Sequence, residues 1–401
     1  MPEAVIVATV RTPIGRAFKG SLVEMRPDDL AAHAVRAVLE KVPQLEGNAI
    51  DDLILGCGEP AGEAGFNMAR VVAILAGLDG VPGATVNRYC SSSLFAIRIA
   101  AHAIKAGEGD AFLAVGVEST SRFGNGMADD GPHNPVFAEA EARTAERARG
   151  KGGPWSPPEG LPDIYIAMGQ TAENVAELEQ VTREEMDEYA CLSQQRAVEA
   201  QNDGFFAKEI TPLTLPDGRV VDKDDGPRPG TTVEILAGLK PVFRENGLVT
   251  AGNSCPLNDG AAAVVVMSDT KAAELGITPL ARIVSSGVTA LNPEIMGLGP
   301  VEASQQALRR AGMTINDIDL VEINEAFAAQ VIPSARRLGV EWDKLNVHGG
   351  AIALGHPFGM TGARIMGTLI NGLQNTDKSI GLETMCVGGG QGMAMIIERL
   401  S

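Results

Sequence analysis

Aromatic side chains are scarce: Phe, Trp and Tyr supply 4% of the 401 residues. Packing must therefore rest on Ala, Val, Ile, Leu and Met, within a hydrophobic fraction of 45%. Basic residues are also few, 33 Lys and Arg against 51 Asp and Glu, leaving a formal charge of −18. A chain that grips a nucleic-acid backbone or an anionic membrane surface carries the opposite balance, so neither partner is expected. A small anionic ligand stays open to it, because that needs only a local patch or a helix N-terminus.

No hydrophobic run approaches the roughly 18 residues that span a bilayer. The opening MPEAVIVATV leads straight into a strand pattern, without the charged segment and cleavage site of a leader. The closing ERLS is no peroxisomal or retention address. A disulfide framework is missing too. Cys57, Cys90, Cys191, Cys255 and Cys386 are scattered, odd in number and without C-x-x-C spacing, which predicts free thiols and a cytoplasmic setting. Glycine (47) and proline (23), by contrast, are plentiful and promise many tight turns and close backbone approaches. At about 150 residues per domain the length predicts two or three domains.

The first 120 residues alternate apolar runs (4–8, 52–57 and 112–117) with helical periodicity over 29–42, 67–77 and 92–106. Such alternation predicts an α/β layer architecture with a mostly parallel sheet. Residues 119–249 break the pattern with turn-rich, polar stretches such as GKGGPWSPPEG, apart from a capping box at Thr182–Glu185 that opens a long helix. This reads as an excursion over the core, of the kind that grips substrates. From 250 onward the alternation resumes and echoes the first half. Leu39 answers to Leu308, Leu53 to Leu320 and Cys90 to His356, at offsets of 269, 267 and 266. Two copies of one α/β unit are therefore expected.

Four segments carry chemistry. VNRYCSSSLFAIRIAAHAIKAG places Cys90 at a strand-to-helix junction. There the helix dipole and free N–H groups can lower a thiol pKa to about 3.5–7.5, whereas a free cysteine is otherwise a small buried hydrophobe. NVHGGAIALGHPFGMTGAR sets His348 and His356 among five glycines, and the repeat puts His356 opposite Cys90, as thiol activation requires. LETMCVGGGQG ends a strand at Cys386 before three glycines; it lacks the Lys-Ser/Thr of a phosphate loop. VEINEAFAAQ offers Asn324 either as a helix cap or as a holder of water in an oxyanion hole.

Together, VRTPIGRAFKGSL, NEAFA, GGAIALGHPFGMTGAR and CVGGG resemble the thiolases over essentially the whole chain. The resemblance implies two pseudo-repeated α/β halves in an α-β-α-β-α core with an inserted loop domain. The divisions would be 1–118 plus 250–275, 119–249 as the loop and CoA-binding domain, and 276–401. The implied reaction is acyl-CoA plus acetyl-CoA in equilibrium with 3-oxoacyl-CoA plus CoA, as in fatty-acid β-oxidation. Cys90 would be the nucleophile, His356 its base, and Cys386 the acid/base at the α-carbon. A water on Asn324 joins His356 in one oxyanion hole, and the N–H groups of Cys90 and Gly388 form the other. Arg228 would approach the CoA phosphates, while Met168, Leu239, Phe243, Ala251, Cys255, Met296, Ala326 and Phe327 line the pantetheine or acyl path. The resemblance implies no metal and no tightly bound cofactor, CoA and acetyl-CoA being substrates, and a homodimer or homotetramer.

Three departures stand out. Ser93 replaces a usual Gly, Cys255-Pro256 a frequent Ser-Gly, and Ala167 precedes Met168 where short-chain members often carry His. The competing readings are a ketosynthase-like condensing enzyme, which pairs its Cys with two His, and a non-catalytic CoA-ester or lipid binder.

Overall fold

The computed structural model describes residues 2–401. Its first half contributes strands β1 (Ala4–Arg11), β2 (Asp52–Gly56), β3 (Gly83–Val86), β4 (Ala111–Ser119) and β5 (Asn258–Ser268). The second contributes β6 (Ala281–Ala290), β7 (Leu320–Ile323), β8 (Ile380–Val387) and β9 (Gln391–Arg399). They form one continuous path in the order β7-β8-β9-β6-β1-β5-β4-β2-β3. Strands of the two halves pair only where Val5 and Ile6 of β1 oppose Arg282 and Ala281 of β6. Each half is a sheet in its own right.

The two sheets have one plan. In the first, β2 runs parallel to β4, then β5 and β1 follow antiparallel. In the second, β7 runs parallel to β8, then β9 and β6 follow antiparallel. The expectation of a mostly parallel sheet is thereby corrected. Parallel pairing needs a helical crossover, and only the outer strands have one; β8 and β9 are joined by three residues, which permits only a hairpin.

Helices complete five layers. Helices α1 (Pro27–Glu40) and α2 (Met68–Leu75) cover the outside of the first sheet, and α5 (Gly299–Ala311) the outside of the second, with α6 (Ala328–Leu338) against it. Between them, α4 (Arg183–Asn202) belongs to the excursion and opens on the expected Thr182–Glu185 capping box. The middle layer is α3 (Ser92–Ala106) and α7 (Thr361–Asn375), packed on each other between the sheets. Their alanine, leucine and isoleucine faces join β4, β5, β8 and β9 in one buried cluster.

The repeat holds at offsets of 268 for β2 and β7 and 269 for α3 and α7, counted from their first residues. The pairing of Cys90 with His356 is therefore approximate, since Cys90 lies two residues before its helix and His356 five. Close approach needs glycine at β4: a Cβ on Gly116 would lie 2.2 Å from the Gly359 carbonyl oxygen and 2.5 Å from Ser93 Cβ. The N-termini of both central helices are thus drawn against one strand.

Candidate active site

Cys90 sits in a tight turn between β3 and α3. Tyr89 before it takes a left-handed φ of 42°, an uncommon and strained conformation for a side chain of that size. The turn is pinned from both sides. Asn87 Oδ1 accepts the Tyr89 amide at 2.7 Å, and Ser92 Oγ accepts from the Arg88 amide at 2.9 Å while donating to the Tyr89 carbonyl at 2.7 Å. The Cys90 sulfur faces the backbone N–H groups of Gly388 and of Cys90 itself.

Burial nonetheless dominates, pushing the Cys90 thiol up to about 12, with the Glu118 charge adding to the rise and the two N–H groups opposing it. Of the two readings the sequence left open, the resting group is the small buried thiol and not the dipole-lowered thiolate. Water exclusion in the layer between two sheets outweighs two N–H dipoles. The same holds for Cys386 on β8, whose thiol is driven well above its ordinary value by burial and then by the nearby Cys90 and Cys255.

His356 lies in the chain leading to α7, anchored by its amide on Asn258 Oδ1 at 3.0 Å. Its Nδ1 is 2.6 Å from Thr361 Oγ1, and that hydroxyl donates to the Pro357 carbonyl at 2.8 Å. Thr361 must then accept from Nδ1–H. That leaves the lone pair on Nε2, which accepts from the Asn324 amide nitrogen at 3.2 Å. Burial, followed by the Arg364 charge, lowers His356 to about 3, so the ring is neutral. Asn324 Oδ1 is buried without a partner in the fold. His356 also packs edge-on against Phe358, with ring centroids 5.2 Å apart.

Phe358, Cys90, Gly388 and Met168 share a cavity of about 370 Å3 beside the thiol. The other expected path residues gather outside that cavity, in the cluster that holds Cys386, and Cys255 lies close enough to Cys90 and Cys386 to act on their charge. Phe243 meets Phe327 edge-on at 6.0 Å, the Cys255 amide donates to the Ala326 carbonyl at 3.0 Å, and Met296 is buried in the same cluster. Leu239 is exposed at that cluster's rim, close over Gly252, and Ala251 is exposed. Arg228 is exposed and feels the Arg16 guanidinium. Neither arginine forms an ion pair among the described residues, and Arg16 Nε is buried without a partner. His348 keeps a structural place, stacked on Phe205 at 3.6 Å. Among the described residues no group of three His, Cys, Asp or Glu is arranged to hold a metal.

Sequence reasoning passed over Glu118, Asn258 and Thr361. Fully buried at the end of β4, Glu118 accepts from the amides of Gly58 at 2.7 Å, Glu59 at 3.2 Å and Gly359 at 2.9 Å. It ties the loops beside Cys90 and His356 together. A carboxylate ending the apolar run FLAVGVES was the available signal.

A model of the thiolase N-terminal domain matches residues 4–270, and one of the thiolase C-terminal domain matches 277–399. The chain belongs to the thiolase family. This thiolase is 46% identical over 412 residues to the 3-oxoadipyl-CoA/3-oxo-5,6-dehydrosuberyl-CoA thiolase of Escherichia coli K12, covering all of both chains. To the 3-ketoacyl-CoA thiolase of Bacillus subtilis strain 168 it is 44% identical, covering 99% of this chain and 100% of the relative. Among solved structures, the acetyl-CoA acetyltransferase of Bacillus anthracis superposes with a TM-score of 0.86 at 39% identity, covering 100% of this chain and 99% of that one. The thiolase is accordingly an acyltransferase, and no helix among its described residues is long and apolar enough to cross a membrane.

Proposed function

We propose that this thiolase cleaves 3-oxoacyl-CoA through an acyl group carried on Cys90. The thiol gives its proton to His356 Nε2 as the sulfur attacks the 3-oxo carbonyl. The C2–C3 bond then breaks, and Cys386 supplies the proton that turns the departing carbanion into acetyl-CoA. CoA enters, passes its thiol proton to Cys386 and attacks the acyl carbonyl. Acyl-CoA leaves as the Cys90 sulfur recovers its proton from His356. Every proton taken is returned, so the enzyme ends as it began. A water held by Asn324, together with His356, would stabilise one developing oxyanion, and the Cys90 and Gly388 amides the other, each lost donor typically costing about 2.7–4 kcal/mol of barrier.

The observation that carries this reading is the fixed tautomer of His356, whose proton-accepting atom is Nε2 because Thr361 occupies Nδ1. A neutral imidazole and a neutral thiol, both buried and both beside Phe358, suit a proton that moves only as the carbonyl reacts. The unpaired Arg16 and Arg228 support a phosphate-facing rim, with 119–249 as the CoA-binding domain and 1–118 plus 250–275 and 276–401 as the two halves. We assign CoA as substrate rather than resident cofactor, and the five free thiols favour the cytoplasm. An oligomer of identical chains is supported by the open edge of β3 and by the fully exposed Phe66.

Incubation with acetyl-CoA followed by peptide mass spectrometry tests the nucleophile: an acetyl group is expected on Cys90. Its absence from folded, active protein sinks the mechanism. Cys386→Ala should still acylate yet lose carbon–carbon cleavage, and surviving turnover in that variant would remove Cys386 from the reaction.

A further inference from the structure

The cavity at Cys90 is one-sided in charge. Glu59 and Asp129 both line it, and no lysine or arginine does. The two acids are held side by side: the Asp129 backbone amide donates to Glu59 Oε2 at 3.0 Å, and the Tyr89 hydroxyl donates to Asp129 Oδ1 at 3.4 Å. His133 is the remaining basic side chain of the wall. Its Nδ1 lies 3.0 Å from Glu141 Oε2, a carboxylate that does not line the cavity, and its ring is stacked on Tyr165 at 3.9 Å. The rest of the wall is apolar, from Ile164, Ile166, Met168 and Phe358.

This cavity shares only Met168 with the cluster around Phe243 and Phe327. An acyl chain on the Cys90 sulfur therefore has a space of its own to enter. We infer that Glu59 and Asp129 select acyl chains by charge, admitting 3-oxoacyl-CoA with an uncharged chain end and rejecting a chain that ends in a carboxylate. The inference rests on Cys90 being the acylated residue. Like charges a few ångströms apart in a partly dry cavity repel strongly, and no cation of the wall is free to compensate. Full-length similarity to a relative named for 3-oxoadipyl-CoA does not supply that cation.

The test compares two six-carbon substrates that differ only at the far end, 3-oxohexanoyl-CoA and 3-oxoadipyl-CoA. Thiolysis is followed at about pH 8, where Glu59, which burial pushes up to about 7, is ionised. The expected kcat/KM is at least about 30-fold higher for 3-oxohexanoyl-CoA. Asp129→Asn, at an exposed position, and Glu59→Gln should each shrink that ratio by about fivefold, chiefly by raising use of the carboxylate-ended substrate. Equal kcat/KM for the two substrates in the unaltered enzyme overturns the inference while leaving the thiolase reading intact. A ratio that neither substitution moves removes Glu59 and Asp129 from its cause. Turnover of neither substrate, with no acyl group on Cys90, brings down the reading of the site and this inference with it.

Discussion

The hydroxyl of Ser93, in the first turn of α3, accepts the amide hydrogen of Ala363, in the first turn of α7, at 2.9 Å. One central helix thus satisfies a free N–H of the other, at the end where the site lies. Ser93→Ala leaves that amide buried without an acceptor, and a stability loss of about 1–2 kcal/mol is expected. Urea unfolding of the two proteins measures it; coincident midpoints would refute the cross-helix cap.

In the proposed mechanism Thr361 acts on catalysis through His356. Thr361→Val removes the acceptor for Nδ1–H and frees the ring to turn or change tautomer. A fall of about tenfold or more in kcat is expected with KM little changed, in line with the worth of a positioned base. Thr361→Ser should restore most of the rate. A serine variant as slow as the valine variant would mean that packing, not the hydroxyl, is what matters.

The shifted groups bound stability on both sides of neutrality. His356 titrates at about 3 when folded against 6.5 unfolded, so the unfolded chain binds the extra proton between these values. The stability this contributes is present above 6.5 and is lost as pH falls toward 3. Cys90 titrates at about 12 when folded against 9.0 unfolded, so its contribution is present below 9.0 and is lost as pH rises toward 12. The melting temperature of the wild type should decline on either side of that window. His356→Asn should decline less on the acid side, and an unchanged acid limb would assign the loss to other groups.

Phe66 is 99% exposed, at the tip of a loop near the open edge of β3. Phe66→Asp places a charge where two copies would meet. A shift toward the monomer mass in light scattering at micromolar concentration is expected; an unaltered mass would locate the contact elsewhere.

Much of this molecule was legible before its structure. The duplicated α/β plan followed from the spacing of apolar runs, and the junctions at Cys90, Asn324 and Cys386 fall where strand patterns end. Strand direction was not legible, because a buried strand such as AAAVVV reads alike in parallel and antiparallel sheets. The thiol's resting state stayed open between two readings for a related reason. A helix N-terminus is visible in a sequence, while the second sheet that dries it comes from residues some 270 positions away. Glu118 acts through partners 59, 60 and 241 positions away, and Thr361 through a single hydroxyl orientation. Neither leaves a periodic trace.

The duplicated sheets turn the same corner in two ways. After β4 the chain wanders through residues 120–257 before β5, whereas after β8 it returns in Gly388-Gly389-Gly390. Gly389 and Gly390 adopt φ of 75° and 76°, and Gly388 aims its N–H at the Cys90 sulfur. One corner leaves room for a long excursion, while the other is closed in three glycines whose backbone carries a donor to the Cys90 sulfur. An added residue in the short corner would swing that donor away from the sulfur, whereas the long corner bears no such constraint on its length. The two halves are thus alike in architecture and opposite in the slack their corners allow.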